Sequence, residues 1–256
     1  MLRSLLTRLT QGHRTIGYPR QAPPALSDRY QGRPYADTSR CPNGCQACVQ
    51  ACPVNALHTN NGQLEVDLGA CLFCTDCQTA CPEKILEFTP EFRMASRDRK
   101  GLVVPLAEKG AITPEAFSRE IRRLLGRSLK IRVVSAGGCG ACEADVNVLS
   151  TIGWDWGRFG IQVVASPRHA DVLLLTGPVT NNMELAVQKT YAAMAEPKLV
   201  VAVGSCAIAG GPFAGHQSVR GGAEQVLKVD LYIPGCPPHP LSILEGLLQS
   251  LNKIKH

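Results

Sequence analysis

Eight cysteines fall within residues 41–82, and their spacing constrains the fold more than any other feature of the chain. The second half of this stretch reads CLFCTDCQTACP, a Cys-x2-Cys-x2-Cys-x3-Cys-Pro pattern that starts at Cys71. The first half, CPNGCQACVQACP, repeats the pattern from Cys41 with one extra residue after the first cysteine. So dense a set of thiols at regular spacing predicts a small unit folded around bound metal.

Three closely spaced thiolates suit one face of a cubane iron–sulfur cluster, and the fourth cysteine, stiffened by the proline after it, ligates the other cluster of a pair. This is the spacing of bacterial two-cluster ferredoxins. The alternative is a pair of structural zinc sites, but zinc uses paired Cys-x2-Cys units and does not need the third cysteine or the Cys-Pro step. Crossed ligation predicts one 4Fe–4S cluster on Cys41, Cys45, Cys48 and Cys81, and a second on Cys71, Cys74, Cys77 and Cys52.

Length and composition limit what surrounds this unit. The chain has 256 residues, enough for about two domains. All 12 cysteines fall into candidate ligand sets, which leaves none for disulfides and indicates a reducing compartment such as the cytoplasm. No apolar run reaches the roughly 20 residues of a membrane span, and no secretory signal is expected. The basic stretches lack interleaved aromatics, so nucleic acid is not an expected partner.

The first residues, MLRSLLTRLTQGHRTIGYPRQ, have the pattern of a short amphipathic helix. Its four leucines share one face and its arginines lie elsewhere, which suits a helix at a membrane surface or against a membrane subunit. A basic arm packed on the parent complex explains the pattern equally well, and a mitochondrial presequence is a third reading. Residues 18–40 show no period and predict an extended arm over a neighbouring surface.

From Lys130 onward the pattern changes to short β-branched runs that end in Gly or Ser and alternate with helical segments. Buried strands that alternate with helices predict a flavodoxin-like, doubly wound and mostly parallel sheet. The predicted fold class is therefore α/β, with a two-cluster ferredoxin-like domain before the sheet domain. The predicted segments are a basic N-terminal arm (1–40), the ferredoxin domain (41–92), a connector with a helix from Pro114 to Gly126 (93–130) and the sheet domain (131–256).

The remaining cysteines follow predicted strands of the sheet domain. Cys139 and Cys142 follow the first strand, Cys206 follows the fourth, and Cys236 follows the run VDLYI. Since sites in such folds form at the carboxyl ends of the strands, the four are expected to converge there and hold a third 4Fe–4S cluster. Buried free cysteines that fill a core are the alternative, but they do not explain why all four lie in Gly- and Pro-rich loops.

Three runs of the sheet domain carry a resemblance: RFGIQVVASPRHADVLLLTGPVTNNM (158–183), EPKLVVAVGSCAIAGG (196–211) and VDLYIPGCPPHP (229–240). They closely resemble the small, cluster-bearing subunit shared by respiratory complex I and the related membrane-bound nickel–iron hydrogenases of the formate hydrogenlyase type. The first domain resembles the two-cluster ferredoxin-like subunit of the same complexes, including RTIGYPRQ and YQGRP upstream of its cysteines. Because these are usually separate chains, the sequence indicates a fusion of neighbouring subunits.

The resemblance separates two branches. Complex I proteins carry adjacent cysteines at the first ligand position, whereas this chain has Cys139-Gly-Ala-Cys142, the spacing of the hydrogenase branch. Complex I relatives also favour Arg where this chain has His239. Hydrogenase is therefore favoured over a quinone- or carrier-linked dehydrogenase. The resemblance marks five further residues as candidates for tuning the third cluster or contacting a partner: Glu143, Asp145, Arg158, Arg168 and His239.

The resemblance implies an electron-transfer subunit that relays electrons through three 4Fe–4S clusters to or from a nickel–iron site in a partner large subunit. This chain would carry no active site of its own. Membrane-arm subunits of a complex I-like assembly and an electron donor, such as ferredoxin or a formate or carbon monoxide dehydrogenase, are the other implied partners. The implied location is peripheral, on the inner face of the cell membrane. A complex I-like dehydrogenase without nickel and a freestanding polyferredoxin carrier are the alternatives.

Overall fold

The computed structural model describes residues 2–12, 14–126 and 128–254. A helix, α1 (Leu2–Gln11), comes first in the described chain. The ferredoxin-like unit that follows consists of short elements: β1 (Pro34–Ala36), α2 (Ala47–Gln50), β2 (Leu57–Asn60), β3 (Gln63–Asp67), α3 (Asp76–Ala80) and β4 (Leu86–Phe88). Helices α2 and α3 each begin inside one of the two repeated cysteine motifs and pack against each other.

Both segments that flank the ferredoxin-like unit contribute a strand to it. β1, which lies in the predicted arm, pairs antiparallel with β4. The connector contains β5 (Val103–Pro105), which pairs antiparallel with β3 and extends the β2–β3 hairpin to three strands. The unit held together by strand pairing therefore reaches beyond residues 41–92. The segment boundaries drawn from the sequence remain predictions.

The connector also contains α4 (Arg119–Leu125), which begins later than the predicted helix over 114–126. The Ser118 side chain caps this helix by accepting a hydrogen bond from the Ile121 backbone N–H at 3.3 Å, which fixes the start there. Phe117 falls within the predicted range but lies outside the helix, where its ring is buried and its N–H donates to the Ser250 carbonyl at 2.8 Å.

The second domain is a parallel sheet with helices between its strands. Its elements are β6 (Leu129–Ser135), α5 (Ala141–Val148), β7 (Ile161–Val163), β8 (Val172–Thr176), α6 (Asn181–Ala192), β9 (Leu199–Val203), α7 (Ser205–Ala209), β10 (Leu231–Ile233) and α8 (Pro240–Ser250). The strand order is β7-β6-β8-β9-β10 and each neighbouring pair is parallel. Counted within the domain this is 2-1-3-4-5, the flavodoxin-like order, and it confirms the predicted fold class.

The sheet domain and the ferredoxin-like unit share one apolar core. β8 and β9 are buried at every position, so each strand contributes alternate residues to the two faces of the sheet. On one face Leu174 packs in the core that contains the leucines and the isoleucine of α8. On the other face Leu173 belongs to a core that also contains Leu57 and Phe73 of the ferredoxin-like unit. The packing therefore fixes the position of the two units relative to each other.

The connector is tied to both units along its length. Ser96 exchanges two backbone hydrogen bonds with Tyr232, at 3.0 and 2.8 Å, and so covers the free edge of β10. A few residues on, the Arg99 guanidinium makes a bidentate ion pair with Asp67 of β3, at 2.8 and 2.6 Å. These contacts indicate that the connector is ordered and packed on both units, and they argue against a flexible linker.

The arm lies over the surface of this chain's own sheet domain. The Ile16 backbone N–H donates to the Gly153 carbonyl at 2.9 Å. The Tyr18 ring is buried, and its hydroxyl hydrogen-bonds to Glu245 of α8. Within residues 2–12, 14–126 and 128–254, no helix has the length and hydropathy that crossing a membrane requires.

Candidate functional site

The third cysteine set lies at the carboxyl edge of the parallel sheet. Cys139 and Cys142 sit at the start of α5 after β6, Cys206 sits in the first turn of α7 after β9, and Cys236 follows β10. Burial raises the pKa of the Cys142 thiol to about 12, and the thiols of Cys206, Cys236 and Cys139 add to the shift. The four thiols therefore lie within electrostatic range of one another, although 97 positions separate Cys139 from Cys236 in the sequence.

Two glycines leave room beside these sulfurs. A Cβ on Gly204 would lie 2.5 Å from Cys142 Sγ, and a Cβ on Gly211 would lie 2.6 Å from Cys206 Sγ. Both distances are far inside van der Waals contact, so a side chain at either position would displace a thiol. Glycine here keeps the backbone close to the sulfurs, where amide dipoles can tune a bound cluster.

Each of the two crossed cysteine sets lines its own cavity in the ferredoxin-like unit. One cavity is lined by Cys41, Cys45, Cys48 and Cys81. The other is lined by Cys52, Cys71, Cys74 and Cys77. In each set three thiols come from one motif and the fourth comes from the other, which is the arrangement that crossed ligation requires.

The spacing of the thiols suits a polynuclear cluster. A structural zinc ion needs four ligands within about 2.3 Å of one centre. Thiols arranged around a cavity match instead a cubane, in which each of the four irons takes its own cysteine. The residues present therefore fit 4Fe–4S clusters better than zinc.

The ferredoxin thiols are partly shielded from water and receive backbone hydrogen bonds. The Ala56 N–H donates to Cys52 Sγ at 3.2 Å, and the Phe73 N–H donates to Cys71 Sγ at 3.4 Å. Burial raises the pKa of Cys71 to about 12, against the lowering effect of the Phe73 N–H. Without iron the Cys71 thiol is therefore neutral at ordinary pH, and metal binding must displace its proton.

The three sets follow one another in space. Cys48 of the first set is near enough to Cys77 of the second to raise its pKa, after the larger effects of burial, Cys74 and Cys52. Cys74 of the second set acts in the same way on Cys236 of the third, after burial and Cys139. The sequence gives no signal of this order, because it depends on how the two units dock.

Ser205 joins the second set to the third. Its hydroxyl lies 2.6 Å from the carbonyl oxygen of Cys71 and 3.2 Å from that of Gly235, next to Cys236. The residue is 1% exposed. One buried hydroxyl thus contacts the backbone of two cysteine loops while being adjacent to a third cysteine, Cys206. Sequence reasoning missed Ser205, because its partner Cys71 lies 134 positions away.

The two acids predicted near the third set have different surroundings. Glu143 accepts a hydrogen bond from the Thr176 hydroxyl at 2.6 Å. Burial pushes the pKa of Glu143 up, but hydrogen bonds from Ser135 and Thr176 outweigh it and hold the pKa below its usual range. Burial raises the pKa of Asp145, which lines an open cavity together with Cys236. Glu143 is therefore held as an anion behind the set, and Asp145 faces the open side.

The other three candidates are spread over the domain. His239 lines the same cavity, caps α8 by accepting from the Leu241 N–H at 3.1 Å, and has a pKa lowered by burial. Arg158 donates to the carbonyls of Ile16 and Tyr18, at 2.6 and 2.7 Å, so its guanidinium holds the arm. Arg168 is exposed on a short 3-10 turn.

Comparison with known proteins connects this geometry to a family. Residues 139–250 match the model of the NADH ubiquinone oxidoreductase 20 kDa subunit, and residues 33–85 match a 4Fe–4S dicluster domain. A probable membrane-bound hydrogenase subunit of Pyrococcus furiosus is 37% identical over 135 residues, which cover 53% of this chain and 81% of that protein. The chain belongs to the 20 kDa subunit family. The resemblance predicted from the sequence is thereby confirmed, and the chain is an iron–sulfur, electron-transfer subunit of a complex I-like oxidoreductase.

Further relatives come from both branches of the family. Formate hydrogenlyase subunit 7 of Escherichia coli is 35% identical over 162 residues, or 63% of each chain. An NADH-quinone oxidoreductase subunit of Phocaeicola vulgatus is 43% identical over 115 residues, 44% of this chain and 58% of that one. This chain thus spans less than two thirds of both proteins. A chain of the membrane-bound sulfane sulfur reductase, an archaeal respiratory membrane complex, is 34% identical with a TM-score of 0.47, over 53% of this chain and 75% of that one.

Proposed function

We propose that this chain is the electron-transfer subunit of a membrane-associated nickel–iron hydrogenase complex, with three 4Fe–4S clusters in series that lead to or from a nickel–iron site in a partner large subunit. The observation that carries the proposal is the spatial order of three four-cysteine sets: helices α2 and α3 of the first two motifs pack against each other, and the Ser205 hydroxyl contacts both the second set and the third. Bound clusters would supply one-electron transfer.

The chain's own residues hold and space these groups. The proposed ligands of the first cluster are Cys41, Cys45, Cys48 and Cys81, those of the second are Cys52, Cys71, Cys74 and Cys77, and those of the third are Cys139, Cys142, Cys206 and Cys236. Gly204 and Gly211 keep space free beside two of the third set's sulfurs. Ser205 and the shared core fix the separation of the second and third sets.

A partner at the third set is supported by the exposure of its thiols. Cys139 and Cys236 are exposed, while Cys142 and Cys206 are partly buried. The open cavity beside Cys236 is lined by Asp145, His239 and Phe73, so this side is not covered by the described chain. A cluster with two such open ligands needs a covering surface to exclude water. This favours a large-subunit partner over a freestanding polyferredoxin carrier.

The hydrogenase branch is supported by the Cys139-x2-Cys142 spacing and by relatives that are named as hydrogenase and formate hydrogenlyase subunits. The alternative is a complex I-like dehydrogenase without nickel. It is favoured by relatives named as NADH-quinone oxidoreductase subunits, which are 43 to 45% identical over shorter matches. In either assembly we place the chain peripherally on the inner face of the membrane, next to membrane-arm subunits and a donor such as ferredoxin or a formate or carbon monoxide dehydrogenase.

Metal analysis of the complex, purified without oxygen through a tag on this chain, tests the proposal. We expect about 12 irons and 12 sulfides in this chain, four of each per cubane, and nickel in a co-purifying subunit. The complex should also evolve hydrogen with a reduced viologen. An active complex that contains no nickel would contradict the hydrogenase assignment and support the dehydrogenase alternative. Zinc in place of iron would contradict the electron-transfer role itself.

A further inference from the structure

Helix α1 has an apolar face that the described chain leaves exposed. Leu5, Leu6 and Leu9 are 59%, 52% and 80% exposed. At about 100° per residue, these three side chains fall within a single arc of about 100° around the helix axis. The hydrogen bonds described for α1 and its end stay within residues 3–14. A contiguous exposed apolar stripe marks a surface that contacts a membrane or a partner.

Positive charge borders this stripe on both sides. By the same helical geometry Arg3 and Arg8 lie about 60° beyond the leucines, one on each side. Residues 1–27 contain Arg3, Arg8, Arg14 and Arg20 and no Asp or Glu. Long arginine side chains can reach sideways to phosphate groups while the leucines point toward acyl chains. The distribution of charge therefore complements a flat anionic surface better than it complements a protein groove.

The chain fixes where α1 leaves the sheet domain. Just after the helix, the Thr15 hydroxyl donates to the Ile152 carbonyl at 2.8 Å, and Ile16 is bonded to Gly153. Ile152 itself is 74% exposed. The anchored point thus follows the C-terminal end of the helix and has a further exposed apolar residue beside it, which suits a surface contact that includes the adjoining loop.

We propose that α1 lies flat on an anionic phospholipid surface, with Leu5, Leu6 and Leu9 toward the acyl chains and the arginines on the headgroup phosphates. Attraction of cations to anionic lipid and burial of apolar side chains act together in such helices, and neither is sufficient in a helix this short. This binding mode adds detail to the proposed peripheral placement on the membrane, and that placement is the only part of the proposed function on which it rests. It requires neither nickel nor hydrogen chemistry.

Flotation of the purified, cluster-loaded full chain with lipid vesicles tests the proposal. One vesicle is pure phosphatidylcholine, and the other contains about 30% phosphatidylglycerol as the anionic lipid. We expect at least about tenfold tighter binding to the anionic vesicles, and a loss of most of that preference in about 0.5 M salt because screening removes the attraction to phosphate. The double variant Leu5→Ser, Leu9→Ser should lose at least about tenfold in affinity, and Arg3→Gln, Arg8→Gln should lose the preference for anionic lipid.

The matched control is Leu124→Ser on α4, another basic helix, where Leu124 is 62% exposed next to Arg123. It should bind like the unchanged chain, and all variants should keep their iron content. Unaltered binding by the α1 variants, or no binding of the unchanged chain to anionic vesicles, would overturn the proposal. The same holds if the α1 variants instead lose a membrane subunit from the complex while vesicle binding stays the same. Nickel analysis is independent of these outcomes, so failure here leaves the hydrogenase assignment to its own test.

Discussion

At the scale of single residues, glycine and serine at the third cysteine set matter as much as the thiols. A cysteine can ligate only if its neighbours leave room for the cluster and hold the loop in place. Gly204 provides the room, since its backbone has a φ of +90° and the space where its Cβ would lie is next to Cys142 Sγ. Ser205 holds the loop through its hydroxyl.

Gly204→Ala is expected to remove the third cluster. The new methyl group would lie 2.5 Å from Cys142 Sγ and would displace that thiol from the set. Anaerobically reconstituted protein should therefore contain about four fewer irons per chain. The control is Gly215→Ala, because Gly215 also has a positive φ, of +80°, but no atom lies within 4 Å of its Cβ position. Equal iron content in the two variants would contradict the steric explanation.

Ser205→Ala is expected to weaken the docking of the two units. The Cys71 carbonyl would lose its side-chain donor in a buried position, which costs about 1–3 kcal/mol. We expect a lower urea midpoint for loss of cluster absorbance, and a weaker magnetic coupling between the second and third clusters in the reduced protein. Ser205→Thr retains the hydroxyl and should recover the coupling. A Ser205→Ala protein with unchanged coupling would show that the shared core alone sets the spacing.

At the scale of elements, strands formed by continuous apolar runs could be predicted from the sequence. A strand that forms only by pairing with a distant segment of the chain could not. β8 and β9 are buried at every position and apolar apart from Thr176 at the end of β8, so their type and their place in a parallel sheet could be predicted from composition alone. β5 could not, since Val103–Pro105 is a short run in a charged connector that becomes a strand only because β3 offers a free edge. A distant contact also contributes to the late start of the helix predicted over 114–126: Phe117 bonds to Ser250 outside the helix, and Ser118 then caps its first turn.

The candidate site divides in the same way. Ligand spacing within each cysteine motif is local, so the crossed sets and the third set could be proposed from the sequence. The roles of Ser205 and Arg158 depend on contacts across 134 and 140 or more positions, for which a single sequence has no local signal. Arg158 was considered for partner contact, and that remains a prediction, but its described bonds hold the arm.

The start of α8 is expected to lose stability in mild acid. The neutral His239 ring accepts from the Leu241 N–H through Nδ1, and a protonated ring cannot accept. Burial lowers the pKa of His239 in the fold, so the unfolded segment takes up a proton more readily. The stabilisation is therefore complete above the unfolded pKa of about 6.5 and is lost as the pH falls through the lower folded value.

Hydrogen exchange of the Leu241 and Ser242 amides between about pH 7.5 and 5.5, corrected for the intrinsic rates, measures this effect. His239→Asn is the control, because its side chain can cap α8 without titrating in this range, and it should remove the pH dependence. His239→Ala should open the first turn at both pH values, by about 1 kcal/mol. Protection of Leu241 that is independent of pH in the unchanged chain would show that the cap contributes nothing.

At the scale of the whole molecule, the chain crosses between its two units twice. The arm runs from the sheet domain, where Arg158 and Glu245 hold it, into β1 of the ferredoxin-like unit. The connector then returns along β3 and the edge of β10. Covalent linkage raises the effective concentration of two docking partners. Here the shared core and the non-covalent contacts of the arm and the connector also hold the two units together.

Cutting the connector should therefore leave the molecule assembled. A specific protease site inserted after Glu108, in an exposed stretch, would divide the chain into residues 1–108 and 109–256 after folding. The first fragment retains the arm, Ser96 and Cys71, whose contacts with Glu245, Tyr232 and Ser205 all lie across the cut. The two fragments should co-elute in size-exclusion chromatography at micromolar concentration and keep about 12 irons between them.

Adding Arg158→Ala to the cut chain should weaken the association, because the arm would lose two hydrogen bonds from a charged donor. Arg168→Ala, at an exposed position, should not weaken it. If the fragments separate on cutting, the non-covalent contacts are too weak to hold the two units together. The spacing of the second and third cysteine sets would then depend on the covalent connector instead of the interface.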